Sequence, residues 1–484
     1  MKKVIIIGGG LAGLSAGSYL QMNGYETEIF ELGSVPGGLC MAWKRGDYVI
    51  DGCIHWLVGC KPGGSMYQIW SELCDFKTLP LKTYGEFGAL VVDGQMVSLR
   101  GDLDKMEEEW AALSPADRKE IRFFVSAAKR FAVLDFPGQT GKKIITLLPL
   151  VLHLKKLLTP VEKYAGKFKS QLIRDFMTFS FSGAPLLLLL MNASWFYNKN
   201  AGYPEGGAQE LVRRLVARYQ QLGGQLHLGA RVEKIMTEKG KAVGVTLKNG
   251  ENHRADLVIS AADGRSTLFR MLEGKYMDKR LTQLYTDEKF EPKDGFLYVS
   301  LGVARAFTES AKPYQLIKLA EPFKIDSKEL KHLGVTIHNF DPKAAPAGKT
   351  VLTMMLPCDA KVWTELRDKD RVEYGRRKQE ISDRVVEELE RQLGGIKANL
   401  EMVDVATPAT YVRYTDNWNG VPMAWQNPKI YLFRPPKQLK GLENFYMCGQ
   451  WTGEPGLPGA AGSGRRLAMM ICKQHGKKFT STTA

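Results

Sequence analysis

Three clusters of small residues, one carboxylate and one imidazole carry most of the chemistry open to this sequence. The first cluster is Gly8-x-Gly10-Leu11-Ala12-Gly13. It stands directly after the apolar run Val4–Ile7, and Glu31 follows Gly13 by 18 residues. Each residue type has a physical task. Gly8 permits a tight turn. Gly10 lets a pyrophosphate approach backbone N–H groups at a helix start, where the dipole favours an anion. Leu11 and Ala12 open that helix, and Gly13 lets helix and strand pack closely. Glu31, at the end of a second strand, can accept from both hydroxyls of a ribose. Three spaced glycines alone would equally describe an ordinary loop. Strand, loop, helix, strand and acid in that order predict dinucleotide binding.

The second cluster is Val35-Pro36-Gly37-Gly38-Leu39-Cys40. A glycine pair just beyond the ribose acid gives backbone room beside a flavin dinucleotide. A plain nicotinamide fold would instead run on into alternating helix and strand. The third cluster lies at the other end of the chain: Gly449-Gln450-Trp451-Thr452, then Gly456-Leu457-Pro458-Gly459 and the small residues to Gly464. A helix expected from Ala460 to about Gln474 starts there with nothing bulky at its N-terminus. A flat ring can rest against such an end, and the dipole would stabilise negative charge on a reduced ring.

Stepping outward, these clusters need a parallel sheet. Val4–Ile7 reads as a buried parallel strand, Glu26–Phe30 as its neighbour, and Asn444–Cys448 as a late addition. The expected fold class is α/β. A discontinuous Rossmann-like FAD-binding domain is formed by 1–75, 205–270 and 440–475. A mixed α+β substrate domain is formed by 76–204 and 271–439 and carries a helical lid. Phe296–Val303 and Thr350–Leu356 alternate as strands, and Val372–Leu393 reads as a charged amphipathic helix.

The glycine motif with Glu31, the Gly37-Gly38 pair and the C-terminal cluster through Ser463-Gly464-Arg465 together resemble the phytoene desaturase branch of the FAD-dependent amine-oxidase-type flavoproteins. That branch includes carotenoid isomerases and retinol saturase. Tyr203–Gly207, Gly223-Gly224 with Val232–Ile235, and Ala255–Asp263 resemble the middle segments of that family, which implies a cofactor contact at Val232. The resemblance implies non-covalently bound FAD held by Gly8, Gly10, Leu11, Ala12, Gly13, Glu31, Gly37, Gly38, Leu39, Val232, Gly449, Gln450, Gly456, Leu457 and Pro458. Two departures stand out. Gln450 replaces an acid frequent in relatives, and its amide can still bond a hydroxyl. Leu39 stands where relatives often carry Arg or Lys. No second complete glycine motif with its acid follows, so an external electron donor or acceptor must dock.

The 484 residues suffice for two to four domains. With 44% hydrophobic and 25% charged residues, the chain excludes a disordered, collagenous or coiled-coil architecture. Seven cysteines without C-x-x-C spacing predict reduced thiols in a cytoplasmic protein, with no zinc cluster and no metal. No apolar run reaches the ~18 residues of a membrane span. The net charge of +15 is concentrated in part in Lys142–Asp175, where basic residues interleave with aliphatic ones. That pattern reads as an anionic-membrane surface element or as a solvated lid, so the protein would be cytoplasmic and peripheral on the membrane face. Aliphatic rather than aromatic interleaving argues against nucleic acid. The oligomeric state has no signal in the chain.

His55, in Gly52-Cys53-Ile54-His55, is the candidate for moving a proton near neutral pH, or else a structural loop residue. An imidazolium there would favour saturation of a double bond over desaturation. Arg413 and Tyr414 are candidates for orienting a polar substrate end, or for pairing within the protein. Trp451 is either a wall of an aromatic cage or core. The expected function is FAD-dependent oxidation or reduction at a C–C/C=C bond of a long hydrophobic substrate: a carotenoid, retinoid or isoprenoid lipid. The rivals are a flavin amine oxidase, a non-redox carotene cis-trans isomerase that needs reduced FAD, and a flavin-binding scaffold without catalysis.

Overall fold

The computed structural model describes all residues except 84, 93, 133–149, 151, 182, 308–312 and 426–434, and the side chains of 87 and 180. Lys3–Ile7 (β1) forms the middle of a five-stranded parallel sheet. Glu26–Phe30 (β2) and then Gln225–His227 lie on one side of it; Leu257–Ser260 and then Phe445–Met447 lie on the other. The sheet therefore gathers strands from three distant stretches of chain. Val4, Ile5, Ile6 and Ile7 are buried on both faces, as expected for a parallel strand.

Leu11–Met22 (α1), Gly207–Gln221 and Gly456–Gln474 pack on one face around a single core. Close approach sets the sequence here. A Cβ on Gly464 would stand 2.5 Å from the Ala16 nitrogen, so Gly456–Gln474 and α1 touch backbone to backbone. The other face is covered by the antiparallel Val232–Glu238, Lys241–Leu247 and Asn252–Arg254 strands.

The second body is built on a seven-stranded mixed sheet. Its order is Leu400–Ala406, Asp294–Val303, Thr350–Asp359, Lys328–Ile337, Tyr314–Ile325, Glu86–Val92, Gln95–Arg100. The two strands read from alternation are present and somewhat longer than expected. Arg371–Leu393 covers one side of this sheet through Val385, Val386 and Leu389. The helices Leu103–Leu113, Arg118–Phe131, Gln171–Phe181 and Leu186–Tyr197 make a separate apolar cluster.

Part of the basic stretch, at 142–149 and 151, lies outside the described residues. Its remainder is not one amphipathic helix but short pieces, Leu154–Leu157 and Val161–Ala165, leading to Gln171–Phe181. Leu152, Leu154 and Leu158 are exposed, at 88%, 53% and 57%. Lys155, Lys163, Lys167 and Lys169 are exposed as well. Lys156 is not part of that outer face. Its Nζ donates to Glu120 Oε2 at 2.7 Å and lies 3.5 Å from the Phe123 ring centre. No helix among the described residues is long and apolar enough to cross a membrane.

Candidate flavin-binding and active site

The turn after β1 is shaped by contacts that leave no space for side chains. Gly8 has φ +100°, and its N–H donates to the Phe30 carbonyl at 2.8 Å, tying the turn to β2. A Cβ on Gly13 would stand 2.0 Å from the Gly8 oxygen, so α1 starts hard against the turn. Leu11 and Ala12 are buried, turning their side chains into the core while their backbone opens the helix. The Gly10 cap carries no side-chain hydrogen bond, and the first turn has no acid. Its orphan N–H groups are left for an anion.

The Gly37-Gly38 pair lies directly on this turn. Gly37 N–H donates to the Gly9 carbonyl at 3.0 Å, and a Cβ on Gly38 would meet Gly10 Cα at 3.4 Å. Gly37 has φ +119°, and a Cβ there would also sit 2.5 Å from the Cys40 oxygen. Leu39 is half-buried beside the pair. Glu31 is buried, with Oε2 accepting Gly9 N–H at 2.6 Å and Oε1 accepting Gly33 N–H at 2.7 Å. Burial pushes its carboxyl upward, and the two N–H groups oppose that push. Each carboxylate oxygen retains a second lone pair. Ala230 N–H donates to the Glu31 carbonyl at 2.8 Å, which brings the chain leading to Val232 alongside the acid.

The C-terminal cluster meets the first from the opposite side. Gly449, at φ +94°, donates its N–H to Ser463 Oγ at 2.9 Å, and a Cβ on it would touch Ala12 Cβ at 3.2 Å. The helix begins at Gly456 rather than Ala460, so Gly456, Leu457 and Pro458 form its first turn. Pro fits that first turn because the missing N–H would have had no partner. Neither an acid nor a capping side chain closes this end, and Gly456 is exposed. Gln450 Nε2 donates to Asn417 Oδ1 at 3.1 Å, an atom that also accepts Trp451 Nε1–H at 3.2 Å. Two uncapped helix starts, side-chain-free loops and a carboxylate thus converge, a cradle that fits a dinucleotide with two phosphates and a flat ring.

His55 follows a turn built on Asp51. Asp51 Oδ1 accepts Cys53 and Ile54 N–H, each at 2.9 Å, and Oδ2 accepts Ala208 N–H at 2.9 Å and the Tyr203 hydroxyl at 3.2 Å. Protein encloses most of the His55 ring, and part of its surface stays open. Burial lowers its pKa to about 4. That lowering favours the neutral imidazole at pH 7, because burial strips hydration from the charged form. His338 is buried nearby, its Nε2 3.0 Å from Thr353 Oγ1, and burial followed by the field of His55 lowers it to about 3. His338 lies far from His55 in sequence and had no signal there.

Arg413 and Tyr414 are not brought to His55. Both project outward from the Pro408–Thr415 helix, with the Arg413 guanidinium 5.3 Å from the Tyr414 ring. The inward residue of that turn is Tyr411. Trp451 is core: it is buried among Trp418, Trp425 and Tyr285, with ring centres 5.9, 5.1 and 6.3 Å away.

The family model described as flavin containing amine oxidoreductase matches residues 11–472. A phytoene desaturase (lycopene-forming) from Paracoccus sp. is 24% identical, covering 97% of this chain and 97% of that protein. Prolycopene isomerase 2, chloroplastic, of an Oncidium hybrid cultivar is 25% identical over 89% of this chain and 77% of its own. Among solved structures, cyclohexylamine oxidase from Brevibacterium oxydans shares the fold at TM-score 0.60 and 15% identity, with 98% and 100% of the two chains covered. The chain belongs to the flavin-containing amine oxidoreductase family, and it is a flavin-dependent oxidoreductase by that membership.

Proposed function

We propose that this member of the family holds FAD non-covalently and acts on a C–C/C=C bond of a long hydrophobic substrate, a carotenoid, retinoid or isoprenoid lipid. The observation that carries this reading is the similarity to a carotenoid desaturase over 97% of both chains, and to a carotenoid isomerase over 89% of this chain. The position of Trp451 supports it against the amine rival. Paired aromatic walls are needed to cage an amine, and the one candidate in the C-terminal motif is spent on core packing.

The flavin supplies the two-electron exchange with a substrate carbon. In this reading the chain's residues do the rest. Glu31 accepts from the ribose. The start of α1 and the Gly37-Gly38 backbone cradle the phosphates. The Gly456-Leu457-Pro458 turn places a positive helix end against the ring, and Val232, Gly449 and Gln450 line the remaining contacts. In the same reading His55 serves as a neutral base that takes up a proton at Nδ1 or Nε2 and returns it. Its resting protonation state fits proton removal at pH 7 at least as well as donation, so the lean toward saturation loses its basis.

The exposed Leu152, Leu154 and Leu158 with Lys155, Lys163 and Lys167 form the surface proposed to meet an anionic bilayer, from which an apolar substrate and the external electron partner would come. The deciding experiment is anaerobic mixing of the purified yellow protein with candidate polyenes, saturated isoprenoids and amines, followed by the flavin absorbance and product analysis. Bleaching of oxidised enzyme by an isoprenoid, or reoxidation of reduced enzyme by a polyene, supports the proposal. Geometric isomerisation with no net flavin change points to the isomerase branch. Bleaching by an amine alone overturns it.

A further inference from the structure

Two of the seven cysteines face each other. Ala42–Arg45 and Tyr48–Asp51 form a hairpin closed by the two-residue turn Gly46-Asp47, with Arg45 opposite Tyr48 and Ala42 opposite Asp51. Continued outward, that register sets Cys40 opposite Cys53. A two-residue turn makes Arg45/Tyr48 a hydrogen-bonded pair, and such pairs alternate along the ladder. Gly52 N–H donating to the Met41 carbonyl at 3.1 Å marks 41/52 as another. Carried two residues past the ladder, this register sets Cys40 and Cys53 on a non-hydrogen-bonded rung, the kind at which opposed Cα atoms of a regular ladder stand about 4.5 Å apart, within the span a disulfide accepts. The neighbouring Cys53 thiol is the leading influence on the Cys40 proton, which sets the two sulfurs close together. Both are free thiols, Cys40 buried and Cys53 half-buried.

The pair joins two functional turns. Cys40 N–H donates to the Gly37 carbonyl at 3.0 Å, and Gly37 rests on Gly9. Cys53 N–H is held by Asp51, two residues before His55. A bond between the sulfurs would tie the phosphate-side glycine pair to the His55 turn.

We propose that Cys40 and Cys53 are a reversible modification site that closes to a disulfide on two-electron oxidation by a small-molecule disulfide of the glutathione class. The half-buried Cys53 reacts first, being the more accessible: its thiolate attacks the S–S bond of the small disulfide, forming a mixed disulfide and releasing one thiolate. Cys40, once deprotonated, attacks the Cys53 sulfur, forming the intramolecular bond and releasing the second thiolate. Two protein thiols and one small disulfide become one protein disulfide and two small thiols. The neighbouring Cys53 thiol first, and then burial, hold the Cys40 proton tightly, so closure is slow at pH 7 and accelerates with rising pH. The proposal stands whether or not the polyene reading does, since its readout is covalent mass.

The test uses the full-length protein as purified, equilibrated in glutathione buffers stepped from reduced to oxidised, acid-quenched, denatured and alkylated. The reduced protein should take seven labels. The oxidised protein should lose two of them, weigh about 2 Da less before labelling, and yield a peptide linking Cys40 to Cys53. C40S and C53S should each abolish the linked peptide, whereas C358S, on a strand of the seven-stranded sheet, should keep it. Seven labels at every glutathione ratio would overturn the proposal. So would glutathione remaining on Cys53, or a link from either residue to another cysteine. Mapping of the unsubstituted protein decides the matter even if a variant fails to fold.

Discussion

Glu31 Oε2 accepts the N–H of Gly9 at 2.6 Å, so the carboxylate proposed to hold a ribose also fastens the turn proposed to hold the phosphates. In that reading one side chain serves both the fold and the cofactor. Glu31→Ala should weaken FAD binding by about 1–3 kcal/mol. It should also lower the unfolding midpoint of cofactor-free protein, because two buried N–H groups lose their acceptor. Glu31→Gln should recover part of the second effect. Flavin-fluorescence titration and thermal melts of the same samples separate the two. FAD affinity unchanged in Glu31→Ala would remove Glu31 from the site.

Gly13 and Gly464 are required by packing. An added methyl would meet the Gly8 oxygen at 2.0 Å and the Ala16 nitrogen at 2.5 Å. Both obstacles are backbone, so Gly13→Ala and Gly464→Ala should each cost at least about 1–3 kcal/mol, as overpacking does. Gly46→Ala adds a Cβ with nothing within 4 Å, although its φ of +57° imposes some strain. Denaturant midpoints should rank it well above the other two.

His55 and His338, lowered to about 4 and about 3, are neutral in the fold, whereas an unfolded chain protonates them near 6.5. The unfolded state therefore binds more protons below that value. Their contribution is fully present above about pH 6.5 and is lost as pH falls through the interval down to about 4 for His55 and about 3 for His338, worth at most ~3 kcal/mol for His55. His55→Asn should flatten the acid side of the stability profile. Asp263 acts in the opposite sense: burial first, and the neighbouring Asp416 charge, raise it to about 7 against backbone N–H groups of Ser266 and Trp418. Its carboxyl favours the folded state at low pH, and that advantage disappears as pH rises from about 4 to 7. Asp263→Asn should reduce the loss of stability over that interval. Urea midpoints measured from pH 4 to 8 for wild type and both variants check the two signs.

Membrane association should follow the outer face of the Leu154–Ala165 segment. Lys155→Glu should weaken sedimentation with anionic liposomes at low salt, by about 1 kcal/mol per charge removed and more on reversal. Leu154→Ser with Leu158→Ser should weaken it at high salt as well. Lys156→Glu should chiefly destabilise the fold, because it sets a second carboxylate against Glu120. Equal sedimentation of all variants would leave the segment as a lid.

Arg413→Ala and Tyr414→Ala should leave turnover within about twofold, as surface substitutions away from a site do. Tyr411→Ala, at the buried position of the same helix, should impair folding or activity far more. Steady-state rates with equal flavin loading provide the comparison.

What the chain alone determined were features whose cause is local. Positive-φ glycines, positions where a Cβ has no space, a β-branched buried run and an acid at a strand end each restrict residue type at the residue itself, so Gly8, Gly13, Gly37, Gly449 and Glu31 could be read in order. Even the shift of the last helix start from Ala460 to Gly456 moved a boundary and left the motif's meaning intact. The tertiary structure decided whatever depends on neighbours distant in sequence. Which way Arg413 and Tyr414 point depends on how their helix sits, and whether Trp451 walls a cavity or fills the core depends on Trp418, Trp425 and Tyr285. Whether Lys156 faces a membrane depends on Glu120. The proton on His55 depends on burial that only the packed chain creates. The pairing of Cys40 with Cys53 depends on a hairpin register, which a spacing of thirteen residues does not reveal.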